Sequence, residues 1–171
     1  MRIQRKKLKI RRAKMNKLRL LFREPSHGLC SSRLFNNETF YAAFVTDLKH
    51  ARSSVLIESP FITTRRMNSL LPVFERLRRL GVQVIVNTRN PNEHDAEYAA
   101  QALVAVRDMQ DIGIRVLYTV KHHRKLVIVD DILWEGSLNI LSQNDSCEVM
   151  RRSVSLELVS QMRRFIYHQL K

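Results

Sequence analysis

The sequence predicts an α/β fold in which helices flank a mixed β-sheet, and three observations support this prediction. Short apolar runs typical of buried strands alternate with longer segments of helical periodicity. Two of the later runs are separated by only two residues, too few for a crossover helix, so these strands must pair antiparallel. The chain has 171 residues and a hydrophobic fraction of 44%, enough for one domain with a core of its own.

Six elements are predicted in the first two thirds of the chain from apolar spacing and from capping and turn residues. They are a helix over residues 37–51, a strand over 54–58, a helix that begins near 69, a strand over 82–87, a helix over 92–113 and a strand over 114–118. In the second helix we expect Ser69 to be the N-cap, Pro72 to lie in the first turn and Gly81 to end the helix.

The last third of the chain changes character because a hairpin replaces the alternation of strands and helices. Strands are predicted over residues 125–129 and 132–135, joined by Asp130 and Asp131. A short strand over 148–150 and a final helix complete the domain. The final helix has its apolar residues on one face, at Leu158, Met162, Phe165, Ile166 and Leu170. The predicted sheet is therefore mixed, with helices covering it.

Positive charge is concentrated near the N-terminus. The net charge is +14, and residues 1–25 hold 11 of the 30 Lys and Arg residues but only one of the 16 acidic residues. A segment rich in turn formers, Glu24 to Gly28, follows this block, so we divide the chain into a basic arm over residues 1–26 and a domain over residues 27–171. Because basic surfaces attract polyanions, we expect nucleic acid as the partner, ahead of an anionic membrane surface.

Cysteine content and hydropathy suggest a cellular compartment. Cys30 and Cys147 are far apart and lie outside any Cys/His spacing typical of zinc sites, so neither a disulfide framework nor a metal site is predicted. No apolar stretch is as long as a membrane span, and the N-terminal segment has no apolar region followed by a cleavage site. We therefore expect a cytoplasmic protein without a membrane span.

The most informative pattern is His-x-Lys-x4-Asp, formed by His123, Lys125 and Asp130, which is followed shortly by Gly-Ser-x-Asn. Three fixed positions occur by chance in roughly 2% of chains of this length, and the second set lowers that chance to the order of 1 in 100,000. Because residues of like parity in a strand share a face, His123 and Lys125 should point the same way. The antiparallel return strand can present Ser137 and Asn139 beside them.

An imidazole, an ammonium, a hydroxyl and an amide gathered in one place suit a phosphate group. A histidine nitrogen can attack phosphorus and form a covalent intermediate, while a cation and neutral donors stabilise charge on the non-bridging oxygens. This chemistry needs no metal, and the sequence lacks the clustered carboxylates of a two-metal nuclease and a Gly-rich phosphate loop. We therefore predict neither a metal nor a cofactor.

At these residues the chain resembles the phospholipase D superfamily, whose signature is His-x-Lys-x4-Asp followed by Gly-Ser and Asn. The resemblance extends over about residues 37–171 and includes Ser59-Pro60-Phe61-Ile62-Thr63 after the first strand and Ser146-Cys147-Glu148 downstream. One difference is that five residues separate Asp130 from Gly136, where many relatives have six. A shortened hairpin of this kind would affect the placement of the Gly-Ser-x-Asn residues.

The resemblance implies a phospholipase D-like fold and a role for each residue of the pattern. His123 would be the nucleophile, and Lys125, Ser137 and Asn139 would bind the phosphate. Glu148 would be a carboxylate that orients the histidine. Members of the superfamily typically have two signatures in one chain, whereas this chain has a single copy, like the small bacterial nucleases among them. The resemblance therefore implies a homodimer in which a second copy completes the site.

Other residues near the pattern have simpler interpretations. Asp130 has the opposite parity to the nucleophile and lies at the hairpin turn, where an aspartate bonds backbone amides, so we expect a structural role. His122 also has the opposite parity and is expected to be a partner of the fold or of the substrate. Trp134 is expected in the core, and Arg65 and Arg66 are expected to be a solvated pair at the start of a helix.

The sequence thus predicts a metal-independent phosphodiesterase, a nuclease that cleaves DNA, with RNA as a second option, through a covalent phosphohistidine intermediate. The site would be shared across a homodimer. Two alternatives stay open. The first is a nucleic-acid-binding module of a helicase-linked or defence complex, with a helicase or another DNA-processing protein as its partner. The second is a phospholipase D that acts on phospholipids.

Overall fold

The computed structural model describes residues 31–143 and 146–169. The predicted basic arm over residues 1–26 lies outside these ranges, as do Cys30 and Leu170. The described residues form one seven-stranded sheet that has helices on both faces. No helix in the described ranges is long and apolar enough to cross a membrane.

The sheet is mixed, which confirms the predicted fold class. Its strands are β1 (Ser32–Phe35), β2 (Ser54–Glu58), β3 (Gln83–Thr88), β4 (Arg115–Tyr118), β5 (Leu126–Val129), β6 (Ile132–Gly136) and β7 (Met150–Val154). Their order across the sheet is β1-β7-β6-β5-β2-β3-β4. β2, β3 and β4 run parallel, and every other neighbouring pair is antiparallel. The predicted hairpin is the antiparallel pair β5 and β6.

Helices cover both faces of the sheet. They are α1 (Asn37–His50), α2 (Thr64–Arg79), α3 (Ala96–Asp111) and α4 (Leu156–Gln169), with a short 3-10 helix (Pro91–Glu93) before α3. The larger core lies under α1, α2 and α3 and includes Phe44, Phe74 and Met109. α4 covers the other face through Val159 and Ile166. Because β5 is covered on both faces, all four of its residues are apolar and buried.

Capping residues set the ends of several helices. At the start of α1, Asn36 Oδ1 accepts from the Thr39 amide at 3.1 Å, and Thr39 Oγ1 accepts from the Asn36 amide at 3.1 Å. At the start of α3, Asp95 Oδ1 accepts from the Tyr98 amide at 3.1 Å. α2 ends as predicted before Gly81, whose φ of 78° is the left-handed conformation that favours glycine.

The predicted start of α2 is wrong. The helix begins at Thr64, and Ser69 lies inside it, where its hydroxyl donates to the Arg66 carbonyl at 2.7 Å. Pro72 therefore lies within the helix rather than in its first turn. The earlier start brings Met67 into the core with 1% of its surface exposed, and this burial favours the extra turn.

Two other elements differ from prediction by more than two residues at one end, and one strand was not predicted. The helix predicted over 92–113 starts at Ala96, because the 3-10 helix and the Asp95 cap precede it. The strand predicted over 148–150 is β7, which begins at residue 150 and continues for five residues. β1 was not predicted. Arginine and serine occupy two of the four positions of β1 and three of the five of β7, and the pairing of these strands is a long-range contact that apolar spacing does not reveal.

The strand order brings several chain segments to one end of the sheet, called here the site end. β5 starts where the parallel strands end, because Glu58 pairs with Leu126. β6 ends and β7 begins at the same place, since Leu126 pairs with Glu135 and Gly136 pairs with Met150. The predicted site residues all lie just beyond these strand ends. The turn between β5 and β6 lies at the opposite end of the sheet.

Candidate active site

His123 and Lys125 lie side by side in the segment that leads into β5. The imidazole is exposed, and the ammonium nitrogen of half-buried Lys125 lies 3.3 Å from each ring nitrogen. Lys125 Nζ also donates to the His123 carbonyl oxygen at 2.9 Å. The structure therefore brings together these two predicted residues and leaves the ring accessible with a cation beside it.

The charge on Lys125 depends on its surroundings. Partial burial lowers the pKa of the Lys125 ammonium, the carboxylate of Glu148 raises it, and the guanidinium of Arg89 lowers it further. Glu148 itself accepts a hydrogen bond from Ser146 Oγ at 2.6 Å. The structure thus places Glu148 where it favours the cationic form of Lys125, and its action on the histidine stays a prediction.

Ser137 and Asn139 follow β6 at the site end. The Ser137 amide donates to the Val149 carbonyl at 3.0 Å, and the Ser137 hydroxyl accepts from the Val149 amide at 3.1 Å. A Cβ at Gly136 would lie 2.0 Å from the Val149 carbonyl oxygen, so this close approach requires glycine. Asn139 Oδ1 is buried without a hydrogen-bond partner in the described part of the chain. Neither side chain is hydrogen-bonded to the imidazole or the ammonium among the described residues.

A network of side-chain hydrogen bonds centred on buried Glu58 holds the site segment, which we define as residues 121–125. Arg124 forms an ion pair with fully buried Glu58, and its Nη2 lies 3.1 Å from Glu58 Oε1. Arg124 also donates to Gln169 Oε1 at 2.7 Å. Asn87 Nδ2 donates to Glu58 Oε1 at 2.9 Å, and Thr119 Oγ1 donates to Asn87 Oδ1 at 3.1 Å. The network therefore ties the ends of three strands and one helix to the site segment.

Sequence reasoning missed this network, although it left a signal. Glu58 and Asn87 are polar residues at or near the C-terminal ends of two apolar parallel strands, and such ends are where α/β folds place their functional groups. A buried charge without a partner is strongly unfavourable, so Glu58 required a cation in the fold. The identity of that cation, Arg124, depends on the sheet order and is not encoded locally.

His122 is a buried residue of the fold. It is 2% exposed, and neither of its ring nitrogens has a hydrogen-bond partner in the described ranges. Burial lowers its pKa to about 4, although the charge of Glu58 acts in the opposite direction. A histidine with this pKa is neutral near pH 7, and burial keeps it away from a substrate. This agrees with the role that its parity predicted.

Arg89, the first residue after β3, holds the site segment from another side. Its Nε and Nη2 donate to the His122 carbonyl oxygen at 3.3 and 2.9 Å. Its guanidinium carbon also lies 5.2 Å from the centroid of the Phe61 ring. At the start of the segment Lys121 has a left-handed φ of 53°, and its amide donates to Glu93 Oε2 at 2.8 Å. The sequence analysis did not identify Arg89, whose only signal is its place directly after a parallel strand.

Tyr41 of α1 supports the loop that follows β6. Its hydroxyl donates to the carbonyl oxygens of Ile140 and Ser142 at 3.0 and 3.2 Å. Burial raises the pKa of Tyr41 to about 12, although the charge of Arg66 acts in the opposite direction, so the hydroxyl remains a donor at neutral pH. The Arg66 guanidinium carbon lies 3.3 Å from the Tyr41 ring centroid. The expected solvated pair is therefore correct for exposed Arg65 and wrong for Arg66, which stacks on the ring.

Two residues that were expected to be structural are confirmed as such. The Asp130 carboxylate accepts from the backbone amides of residues 52–54 at 2.8 to 3.0 Å, at the end of the sheet opposite the site. Asp130 has a φ of 49°, a left-handed conformation that aspartate tolerates better than most residues. Trp134 is fully buried, and its indole nitrogen donates to Asp47 Oδ2 at 2.8 Å.

Metal-ligating side chains are not clustered in the part of the chain that the structure describes, where no three or more His, Cys, Asp or Glu residues are arranged to hold an ion. Cys147 is exposed and free. The near neighbour of the His123 imidazole is an ammonium group, which attracts an anion rather than a cation. The arrangement therefore suits a phosphate oxygen.

The sequence matches the model of a known protein family. The model described as "Cardiolipin synthase, PLD-like domain" matches residues 44–168. This range contains most of the chain and all of the predicted site residues. The chain belongs to the phospholipase D superfamily. The resemblance inferred from the signature is thus confirmed, and no curated protein sequence matches the chain.

Solved structures show the same fold. Nuc, a phospholipase D family member from Salmonella typhimurium, aligns with 81% of this chain and 91% of its own, at 16% identity and a TM-score of 0.62. NucT from Helicobacter pylori aligns with 81% of this chain and 94% of its own, at 19% identity and a TM-score of 0.62. Phosphatidylserine synthase from Haemophilus influenzae aligns over 82% of this chain and 36% of its own, at 12% identity and a TM-score of 0.67. These identities are low, so the likeness concerns the fold alone.

Proposed function

We propose that the protein is a metal-independent phosphodiesterase that cleaves DNA through a covalent phosphohistidine at a site shared by two subunits. The observation that carries this proposal is the exposed imidazole of His123 with the Lys125 ammonium 3.3 Å from its ring nitrogens. The pair combines a nucleophile with a cation that neutralises a phosphate oxygen. Membership in the phospholipase D superfamily supports phosphodiester chemistry.

In the first step a neutral ring nitrogen of His123 attacks phosphorus, and a P–N bond forms. The P–O bond to the leaving nucleotide breaks, and the leaving oxygen takes a proton from the partner subunit's His123. Lys125, Ser137 and Asn139 stabilise the charge on the non-bridging oxygens. Partial burial lowers the pKa of Lys125. The nearby carboxylate of Glu148 raises it and so favours the cation that this step needs.

In the second step water attacks the phosphohistidine. A P–O bond forms, the P–N bond breaks, and the proton lost by the water passes to the partner subunit's His123. The attacking imidazole is then neutral and the partner's imidazole is cationic again, so both are ready for another turnover. Two imidazoles held close together resist double protonation, which favours this division of roles and gives a bell-shaped dependence of rate on pH.

The proposal requires two subunits because one chain supplies only one suitable histidine to the site segment. The neighbouring His122 is buried, and burial lowers its pKa to about 4, so at neutral pH it is not the cationic acid that the leaving oxygen needs. His123 lies exposed at one end of the sheet, where a second copy can approach. A two-fold axis there would place identical residues opposite one another.

DNA is preferred over phospholipid because of charge. The net charge is +14, and 11 of the basic residues lie in residues 1–25. Arg89 adds a further cation beside the site segment. Neutralising backbone phosphates releases counterions, which favours binding to a long polyanion more than to a single headgroup.

Cleavage in excess chelator tests the proposal. The protein is incubated separately with labelled DNA, labelled RNA and phosphatidylcholine vesicles, and products are measured for wild type, His123→Asn and the control His168→Asn, an exposed histidine on α4. We expect wild type and the control to cut DNA and His123→Asn to be inactive while still folded. Activity that needs added Mg²⁺ refutes the mechanism. Products from the vesicles alone favour the phospholipase alternative, and DNA binding without products favours the binding-module alternative.

Mixed dimers test the sharing of the site. A purified, non-exchanging dimer of one wild-type and one His123→Asn subunit lacks either the nucleophile or the acid at its single site. We therefore expect it to be inactive, and sedimentation should give a dimer for wild type. Substantial turnover by the mixed dimer, or full activity of a strict monomer, contradicts the shared site.

A further inference from the structure

Three aromatic rings form a cluster outside both apolar cores, at the side of the site end. The Phe61 ring centroid lies 5.0 Å from that of His94 and 5.9 Å from that of Tyr98. None of the three belongs to either core cluster, and Tyr98 is 41% exposed. We call these residues the aromatic shelf. Aromatic residues usually stabilise a fold by burial in its core, so a cluster kept at the surface calls for another explanation.

Two contacts attach the aromatic shelf to the site segment. Arg89 lies 5.2 Å from the Phe61 ring centroid on one side and donates to the His122 carbonyl oxygen at 2.9 Å on the other. The 3-10 helix just before His94 is also attached, because Glu93 Oε2 accepts from the Lys121 amide at 2.8 Å. One arginine side chain thus spans the gap between the shelf and the residue that precedes the nucleophile.

The chemistry of the aromatic shelf suits a nucleobase. Every base has a π-face that can stack on an aromatic ring, and a cation nearby attracts the backbone phosphates. Burial, followed by the charge of Arg89, lowers the pKa of His94 and so favours the neutral ring as a stacking surface. In a duplex the base faces are covered by neighbouring bases, whereas in a single strand they are accessible.

We propose that the aromatic shelf, through Tyr98 above all, stacks a base of a single-stranded nucleic acid next to the phosphate held at His123. This inference rests on the proposed function and names its substrate as unpaired strand, or as duplex that has been opened locally. Within the shelf, Phe61 contacts the rings of His94 and Tyr98 and so supports them. Arg89 fixes the position of the shelf relative to the site segment.

Binding to strands with and without bases tests the proposal. Fluorescence anisotropy is measured in the His123→Asn background, in chelator, with a labelled short oligothymidylate and with an abasic strand of the same length. We expect the parent protein to prefer the oligothymidylate by about tenfold, the size typical of one aromatic stacking contact. Tyr98→Ala should lose this preference while binding the abasic strand as before, which also shows that the variant is folded.

Further variants separate stacking from apolar contact. Tyr98→Phe keeps the ring and should keep the preference, whereas Tyr98→Leu keeps apolar bulk and should lose it. The control is Tyr167→Ala, because Tyr167 is 43% exposed and lies on α4 over the opposite face of the sheet. We expect this control to bind both strands like the parent protein.

The outcomes distinguish failure of the aromatic shelf from failure of the proposed function. Equal binding of the two strands by the parent protein overturns the shelf, as does an equal loss in Tyr98→Ala and Tyr167→Ala. These results can occur while wild type still cleaves DNA through His123. Conversely, a base preference that depends on Tyr98 in a protein that cuts no nucleic acid supports the shelf and refutes the proposed nuclease.

Discussion

The two ends of β5 carry different parts of the same signature. At the site end, His123 is exposed, and among the described residues its ring nitrogens lie within hydrogen-bonding distance only of the Lys125 ammonium. At the opposite end, the Asp130 carboxylate accepts from three backbone amides. The four residues of β5 separate Lys125 from Asp130, which places the two about 17 Å apart along the strand, so the aspartate does not reach the site.

Under the proposed function, one compact signature serves two purposes. Side chains that are to bind a ligand must keep unsatisfied hydrogen-bonding or charge capacity, which contributes little to stability. A carboxylate that satisfies three amides contributes to stability instead. The spacing between the two parts is then set by the length of β5, the central strand that both of them flank.

Replacing Lys125 by alanine should give the largest effect of three variants that test this comparison. Removal of a donor that compensates charge on a phosphoryl group typically lowers the rate by about a hundredfold or more. Because partial burial already lowers the pKa of the ammonium, its loss should change the free energy of unfolding by less than about 0.5 kcal/mol. Turnover of labelled DNA and urea unfolding measure the two quantities. A large loss of stability would show that the site end is also structural.

Replacing Asp130 by asparagine should have the converse effect. Asparagine tolerates the left-handed φ of 49°, but the variant loses the charge and one acceptor, so we expect a loss of about 2 kcal/mol in the free energy of unfolding. The rate per folded molecule should be unchanged. Asp131→Asn, at the neighbouring exposed position, is the control and should be close to wild type in urea unfolding. A lower rate with unchanged stability would assign Asp130 to the site.

The smallest expected effect of the three variants is on the pH dependence of stability, and it concerns buried His122. Burial lowers the pKa of His122 to about 4, below its ordinary value of 6.5, because the folded state disfavours the cation. The unfolded chain therefore binds the proton first, and this contribution to stability is complete above pH 6.5 and is lost as the pH falls from 6.5 toward 4. His122→Phe should show a flatter stability profile in this window by urea unfolding. The exposed His168→Phe should keep the wild-type slope, and equal slopes for both variants would contradict the assignment.

Much of the fold was predictable because its signals are local. Apolar spacing located α1, β2, β5 and β6 to within a residue or so, and the left-handed Gly81 ended α2 as expected. The start of α2 was wrong because burial of Met67 in the tertiary core outweighed the capping preference of Ser69. β1 was missed because an edge strand of four residues is too short to show a period of its own.

Local spacing also determined which residues of the site segment face the same way. The alternation of His122 to Lys125 follows from an extended backbone, so the sequence separated His123 and Lys125 from the buried His122. The same alternation leaves Arg124 on the buried side, but it does not identify the carboxylate that pairs with Arg124.

The tertiary structure alone decided which carboxylate pairs with Arg124. Glu58 and Arg124 are 66 residues apart in the chain, and they meet because β5 inserts antiparallel beside β2 with Glu58 opposite Leu126. Arg89 reaches the site segment for the same reason, since β2, β3 and β4 end beside the start of β5. Strand order arises from the packing of the whole core against both sheet faces, and no window of local sequence carries that information.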